Sequence, residues 1–516
     1  MEQRRKEELK DKHWSEMIVD ELLKSKKPPF VITGGVSTSG PVHFGSVSEF
    51  LYPYLITKAL KEDGHEASFT FVGDIVDPFK NIPIALKAKY GKELQSELGK
   101  PLAYIADPLG CHKSLGEHYL SEILDVMKVM DVNAKIVRSN EFYESGAFDP
   151  YTRIYLREED KVREVVAKSS LKTPEDMKNW DIIMPICANC GRVSTTRVTW
   201  HDENEYEYVC DKDAEYTKGC NYKGRNKISD HKYKLQWRLH WPTWHAYFNT
   251  SIEGAGEEHM GKGKSSDTAT AIAKEILKRD PPIFYKWGLI MLHGKKYSKS
   301  KGLGMDITEL LKLIPPEVLI YALTVPNLPQ NKEIDPSGDK LVFLYDEIER
   351  ISKLENPENR ADEKKKIAFK LSIGSLRWRV PFLDILLNYQ IYKDWSKVGE
   401  LLKDRDGVKY LAPYITEWLR RDFEPERYNF AVKPQKISVH KETVAKLSAA
   451  LKPRMTDVEV HNLIYSVAKE NDVNSSELFT TLYNAIIGKD SGPKLGKLIT
   501  AIGIDKVKEM LSFSVG

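Results

Sequence analysis

Phe30-Val31-Ile32-Thr33-Gly34-Gly35, followed shortly by Pro41-Val42-His43-Phe44-Gly45-Ser46, is the stretch on which the fold turns. An apolar run entering a glycine pair has the pattern of a buried strand that ends in a tight turn. From Val47 onward Phe50, Leu51, Tyr54, Leu55 and Ala59 recur at helical spacing, so His43 to Ser46 are expected where a strand hands over to a helix. Pro53 inside that pattern argues against an unbroken helix. Such a junction points unpaired helix amides and the positive end of the helix dipole at a phosphate. Gly45 would let an adenine ring approach the backbone, and His43 would donate to phosphate oxygens as negative charge builds. A histidine and a glycine in a turn can equally be structural, and this motif alone does not separate the two readings.

About 250 residues downstream, Lys296-Tyr297-Ser298-Lys299-Ser300-Lys301-Gly302 continues from Lys295 and sets lysines among small and hydroxylated residues before ending on glycine. That composition predicts a mobile loop rather than a strand or long helix. Lysine is a compact charge on a flexible stem and suits transient neutralisation of a triphosphate; the plain alternative is a basic surface loop. In this order and at this separation, the two stretches resemble the nucleotide-binding signatures of class I aminoacyl-tRNA synthetases, usually written HIGH and KMSKS. The resemblance implies amino-acid activation, in which a carboxylate attacks the α-phosphate of ATP in line. Catalysis is then positioning and charge stabilisation, with no protein nucleophile. His43, Lys296 and Lys299 would be catalytic, and His43, Gly45, Ser46, Lys296, Ser298 and Lys299 would contact ATP, which arrives with Mg2+.

Composition sets limits. A chain of 516 residues, 41% hydrophobic, has room for about three domains with sizeable cores. Its 78 basic and 75 acidic residues nearly balance at +3, so any RNA binding must use local basic patches rather than a global field. No apolar run approaches a membrane span, and Met1 to Lys12 is charged, which predicts a solvated helix rather than a secretory signal. Five cysteines in so long a chain argue for a reducing, cytoplasmic setting and for metal or free-thiol roles.

Four of those cysteines fall in one segment. Cys187-Ala188-Asn189-Cys190, then Gly191, runs through polar, aromatic-dotted sequence to Cys210 and Cys220. This reads as a zinc ribbon, four thiolates holding a module too small to bury its own core, with free thiols as the alternative. A second cluster, Asp107-Pro108-Leu109-Gly110-Cys111-His112 with His118, could supply a carboxylate, a thiolate and two imidazoles to zinc. If Cys111 begins a helix, His118 lies two turns on along the same face and Asp107 folds back from the preceding turn. Adjacent Cys and His ligands are sterically awkward, and a buried thiol with core histidines is the competing reading.

The chain resembles the archaeal-type class I lysyl-tRNA synthetases over nearly its whole length. The resemblance is carried by Ser37-Thr38-Ser39-Gly40, Gly73-Asp74-Ile75-Val76-Asp77-Pro78-Phe79, the Asp107 to His118 block and Trp237-Arg238-Leu239-His240-Trp241-Pro242. It continues through Ala255-Gly256-Glu257-Glu258-His259, the Lys296 loop, Asn331-Lys332-Glu333-Ile334 and the Gly488 to Gly496 block. It implies zinc ligands at Asp107, Cys111, His112 and His118, a second zinc in the ribbon, and a lysine pocket lined by Gly35, Ser37, Trp237, His259 and Tyr285. An aromatic wall suits the aliphatic stem of lysine. Asp74 and Asp77 are candidate carboxylates for a substrate ammonium. Against the family pattern, Ser46 replaces the last histidine of the first signature, His240 stands where aspartate is usual, and Tyr297 replaces a methionine.

The expected architecture is an α/β doubly wound, Rossmann-type parallel-sheet catalytic domain in two halves, 1–180 and 231–310, separated by the zinc ribbon at 181–230. A connecting segment, 311–355, carries Pro315-Pro316, Pro326 and Pro329. The remaining 356–516 is helix-like, with Ile415, Leu419, Leu463, Ile464 and Val467 at helical spacing, and the resemblance makes it an all-α anticodon-binding domain. Arg377, Arg379, Arg420 and Arg421 could meet phosphates there, or be solvated surface. The function so implied is ligation of L-lysine to tRNA(Lys). The rivals are a glutamyl-type class I synthetase, whose pocket would want an arginine for the substrate carboxylate, and a zinc-containing RNA-binding protein without catalysis.

Overall fold

The computed structural model describes residues 12–292, 295–296 and 305–516. Two compact units are present: one takes the described residues up to Thr308 together with Ile320–Ile334, the other Glu309–Leu319 and Asp335–Gly516. The expected helix over residues 1 to 12 lies, but for its last residue, outside the described residues.

The first unit is built on five parallel strands: β1 (Phe30–Ser37), β2 (Ala67–Asp74), β3 (Lys135–Arg138), β11 (Ile252–Gly256) and β12 (Ile283–Trp287), in the order β12-β11-β1-β2-β3. Strands buried on both faces read as apolar runs, and β2 and β11 are almost wholly buried. The chain builds outward from β1 to β3, then crosses to the other side of β1 for β11 and β12. The order therefore reverses at β1, and the crevice at the carboxyl ends of β1 and β11 is where a doubly wound sheet takes its ligand.

β1 leads to helix α2 (Phe44–Glu62), which follows α1 (Trp14–Ser25). Contrary to the sequence expectation, α2 runs unbroken through Pro53. Proline cannot donate to the carbonyl four residues before it, here Glu49. Gly34 of β1 makes room: a Cβ there would lie 2.3 Å from Glu49 O and 3.1 Å from Pro53 Cγ. Gly34 thus seats the proline-bearing helix on the sheet.

Between β3 and β11 the chain makes an antiparallel excursion. Its stem is β4 (Ile183–Pro185) paired with β10 (Tyr233–Leu235). Its body is the three-stranded sheet of β5 (Arg197–His201), β6 (Glu205–Val209) and β9 (Lys223–Lys227), with a small hairpin of β7 (Asp213–Ala214) and β8 (Thr217–Lys218). One apolar cluster runs from Val72 and Trp244 through Tyr143 and Tyr233 to Tyr206, Tyr208 and Cys210, so the excursion shares the core of the sheet beneath it.

A last small sheet orders β14 (Lys295–Lys296), β13 (Ile290–Leu292) and β15 (Lys332–Ile334). The first two lysines of the expected loop therefore have extended, paired backbone, whereas Tyr297 to Gly302 fall outside the described residues. The second unit has no strand among its described residues. Its helices, including Asp339–Lys353, Arg405–Arg420, Asp457–Glu470, Ser475–Ile487 and Ile504–Val515, bury Ile464, Val467 and Leu482 in one core and Ile415 and Trp418 in another part of the bundle. Among the described residues no helix is long and apolar enough to cross a membrane.

Candidate active site and metal centres

His43 is the residue before the first turn of α2, with extended backbone, and Ser46 N donates to its carbonyl at 2.9 Å. Its ring lies over Gly45, where a Cβ would come within 2.9 Å of it. Gly45 thus leaves room for the ring in this position. Ser46 itself is buried in the first turn. Of the remaining nucleotide-contacting candidates, Ser298 and Lys299 lie outside the described residues, and only the backbone of Lys296 is described.

Helix α3 spans Leu115–Val129, and across the reversal point helix α4 (Trp237–Phe248) opens on Trp237. The Trp237 ring stacks on Trp241 at 5.6 Å and lies 5.8 Å from His259, which follows β11. Trp237 Nε1 donates to Ser265 Oγ at 3.1 Å, and His259 Nδ1 is 3.3 Å from the same oxygen, so one hydroxyl ties the two rings. Burial, with Arg238 and Lys264 assisting, lowers the His259 pKa and favours a neutral ring. Gly35 lies against Trp244, whose ring a Cβ would meet at 3.2 Å, and Ser37 pairs with Asp74 across β1 and β2. Tyr285 sits opposite Gly254, and its hydroxyl is buried without a hydrogen-bond partner among the described residues. The five residues expected to line a lysine pocket therefore sit on adjoining elements at one end of the sheet.

Two acidic features lie beside them that the sequence did not single out. Glu253 on β11 is buried and accepts from Trp241 Nε1 at 3.0 Å, Trp244 Nε1 at 2.9 Å, His245 Nε2 at 2.8 Å and the Thr33 hydroxyl. It fixes the aromatic face of α4 on β1. Glu49 of α2 is driven up in pKa by burial and by Glu253 and Glu258.

Asp74 and Asp77 already face an ammonium of this chain. Lys234, 2% exposed in β10, places Nζ 2.9 Å from Asp77 Oδ1 and 4.0 Å from Asp74 Oδ2. Burial opposes its charge, but Asp77 and Asp74 more than offset that and hold its pKa above the ordinary lysine value. The other Asp74 oxygen accepts from Ser139 Oγ at 2.7 Å. His240, the departure from the family pattern, is fully buried, with Nδ1 2.7 Å from Tyr143 Oη and Nε2 3.9 Å from Asp74 Oδ2. Burial and then the Lys234 charge push its pKa far down, so it stays neutral. Tyr143 Oη accepts from Leu235 N at 3.0 Å and shares a hydrogen bond with Nδ1, which ties His240 to the end of β10. A lysine inside the apolar triplet Tyr233-Lys234-Leu235 was the one signal of this network in the sequence.

Both cysteine and histidine clusters converge. The sulfurs of Cys187, Cys190, Cys210 and Cys220 lie within 4.8 Å of one another, with Cys187–Cys220 at 3.6 Å and Cys190–Cys210 at 3.7 Å. Disulfides would be near 2.05 Å. Tetrahedral zinc with Zn–S near 2.3 Å spaces its sulfurs by about 3.8 Å, so the four thiols fit that ion. Asp107, Cys111, His112 and His118 likewise place one atom each within 4.8 Å of the others. Cys111 Sγ is 3.2 Å from Asp107 Oδ2, 3.1 Å from His112 Nδ1 and 3.3 Å from His118 Nδ1.

The route to that second cluster differs from the one expected. Cys111 does not begin a helix; α3 starts at Leu115, with Ser114 Oγ accepting from Glu117 N at 3.2 Å. Residues 107–112 form a turn instead, because the Asp107 carboxylate accepts from the amides of Leu109, Cys111 and His112. A turn frees successive side chains from the helical spacing, which is how adjacent Cys111 and His112 reach one centre.

In the second unit the four arginines considered for phosphates are engaged. Arg420 and Arg421 donate to Glu417, Arg421 also to Glu309, Arg379 lies 3.5 Å from Asp404, and Arg377 covers the Tyr410 ring. The surface reading fits them better than a prepared phosphate site.

The model of the family tRNA synthetases class I (K) matches residues 12–375. A lysine--tRNA ligase of Archaeoglobus fulgidus is 31% identical over 97% of this chain and 99% of its own length. Another from Methanosarcina barkeri is 27% identical over 95% of each chain, and one from Thermoplasma acidophilum is 28% identical over 95% of this chain and 97% of its own.

Proposed function

The chain belongs to the class I tRNA synthetases (K), and we propose from that premise that it ligates L-lysine to tRNA in two steps, forming a lysyl-adenylate from ATP and passing the acyl group to the terminal ribose. The observation that carries this reading is the grouping, at the strand-order reversal, of His43 at the head of α2 with Gly35, Ser37, Trp237, His259 and Tyr285. The glycine and aromatic faces would hold the aliphatic stem and exclude water. A ligand ammonium would find the unpartnered Tyr285 hydroxyl and the negative field of Glu253. No arginine lies among the pocket candidates, so a substrate carboxylate side chain has no partner, and the glutamyl-type reading is not favoured.

In the first step His43 would donate to the phosphates at the positive end of α2, and Lys296 and Lys299 would neutralise the charge that builds on the leaving pyrophosphate. Gly45 would admit the adenine, with Ser46 and Ser298 beside the nucleotide, and Mg2+ would accompany ATP. Asp74 and Asp77 would act on the pocket indirectly, as the counter-charges of Lys234. Zinc would be held by Cys187, Cys190, Cys210 and Cys220 and by Asp107, Cys111, His112 and His118, supplying a crosslink to each segment. The helical second unit would meet the tRNA anticodon. A cytoplasmic location follows from this work in translation.

ATP–pyrophosphate exchange with each standard amino acid, with and without total tRNA, tests the reading. Lysine-dependent exchange is the expected result, slowed by Lys296→Ala with tRNA binding intact. Exchange with glutamate, or with no amino acid under either condition, would reject it.

A further inference from the structure

Asn331-Lys332-Glu333-Ile334 is a motif to which the reading above assigns no work, and the lysine in it is 1% exposed. Its ammonium has no carboxylate partner among the described residues. Instead Nζ donates to three backbone carbonyls, of Asn327 at 3.2 Å, Leu328 at 2.5 Å and Gln330 at 2.8 Å, and lies 5.4 Å above the centre of the Tyr52 ring. An isolated buried charge is costly unless its donors are met, so such a site holds its surroundings to one geometry.

Those surroundings join the two signature regions. Tyr52 belongs to α2, which His43 heads, and its ring packs on Trp287 at the end of β12, two residues from Tyr285. The caged turn is bonded to the same strand end: Gly288 N donates to Leu328 O at 2.8 Å, and Leu289 N to Asn331 Oδ1 at 2.9 Å. Lys332 then pairs with Ile290, and Met291 pairs with Lys296, the first residue of the lysine loop. One cation therefore sits where α2, the exit of β12 and the base of that loop meet.

We propose that Lys332 is a positioning residue for activation: its buried ammonium gathers the 327–330 turn against α2 and so fixes the strand pair from which the lysine loop departs, relative to His43. This rests on the function proposed above. It touches neither substrate nor reacting atoms. Burial draws its pKa down to about 8, so the clamp weakens as the medium becomes mildly alkaline. From α2 the titratable group facing it is Tyr52, which burial keeps protonated; on its own strand Glu333 is exposed; α1 presents His13, which is engaged with Ser15 and the Thr324 carbonyl.

Two measurements test this, one without a variant. Lys332→Met in the full chain should lower kcat of lysine-dependent exchange by about 10- to 100-fold and leave the KM for lysine within about twofold. Unchanged kcat, or kcat and lysine KM failing together, would overturn the proposal, the latter marking general structural damage. In the wild-type protein, amide hydrogen exchange across Ile290–Leu292, corrected for intrinsic rates, should accelerate between pH 7 and pH 9.5 relative to β1. Equal protection at both pH values would overturn it, including where the variant does not fold. Absence of any lysine-dependent exchange in the wild type would sink the preceding function instead, and the amide measurement would still decide the clamp.

Discussion

Lys234 shows how much one buried side chain can redirect a reading. Asp74 and Asp77, close together after an apolar strand, look like carboxylates awaiting a substrate amine; folded, they hold an ammonium brought from far along the chain. Removing one partner of a buried pair leaves the other charge unmet, at about 3–5 kcal/mol. Lys234→Met is therefore expected to destabilise the first unit by roughly that amount in urea unfolding, and Lys234→Met combined with Asp77→Asn to recover part of it. Additive losses in the double variant would show that the pair does not act as a unit. Gly34 makes the complementary point. Its part in the strand and turn was legible as a pattern, yet its service to α2, admitting the Glu49 carbonyl beside Pro53, depends on a neighbour that only packing supplies.

Among the elements, the antiparallel excursion was read from its cysteines and polar, strand-like sequence, but the way it is docked was not. His201 of β5 reaches Glu159 of the helix Glu159–Ser169 at 2.7 Å. Hydrogen bonding to His201, helped by Arg163, lowers the Glu159 pKa to about 2, and the same bond raises that of His201. The carboxylate's contribution is present above its unfolded value of about 4.3 and is lost as pH falls toward 2. That of the imidazolium is full below about 6.5 and is lost as pH rises through its raised folded value. Both side chains keep part of their surface in solvent, so screening limits the pair to about 1 kcal/mol or less. The melting temperature of His201→Gln should trail the wild type most near pH 5–6 and converge with it in mildly alkaline buffer; a constant difference across that range would argue against the pair. The expected helix at Cys111 failed for a local reason: Asp107 offers the amides of Leu109, Cys111 and His112 a turn in place of a helical ladder.

For the whole molecule, two clusters of candidate zinc ligands in one unit imply a stoichiometry. Metal analysis of purified protein should find about two zinc ions per chain, with Cys220→Ser and Cys111→Ala each losing one; retention of both by either variant would exclude that residue as a ligand. The sequence by itself determined the doubly wound class, the helical C-terminal unit and the family. These depend on local patterns, namely apolar periodicity, a glycine-ended strand and short motifs whose chemistry travels with their residue types. Only the tertiary structure decided which charges meet. Lys234 with Asp74 and Asp77, Glu253 with Thr33, and Lys332 with Tyr52 join segments distant in the chain. A buried charge is stable or costly according to partners within a few ångströms, and spacing along the chain does not encode that distance.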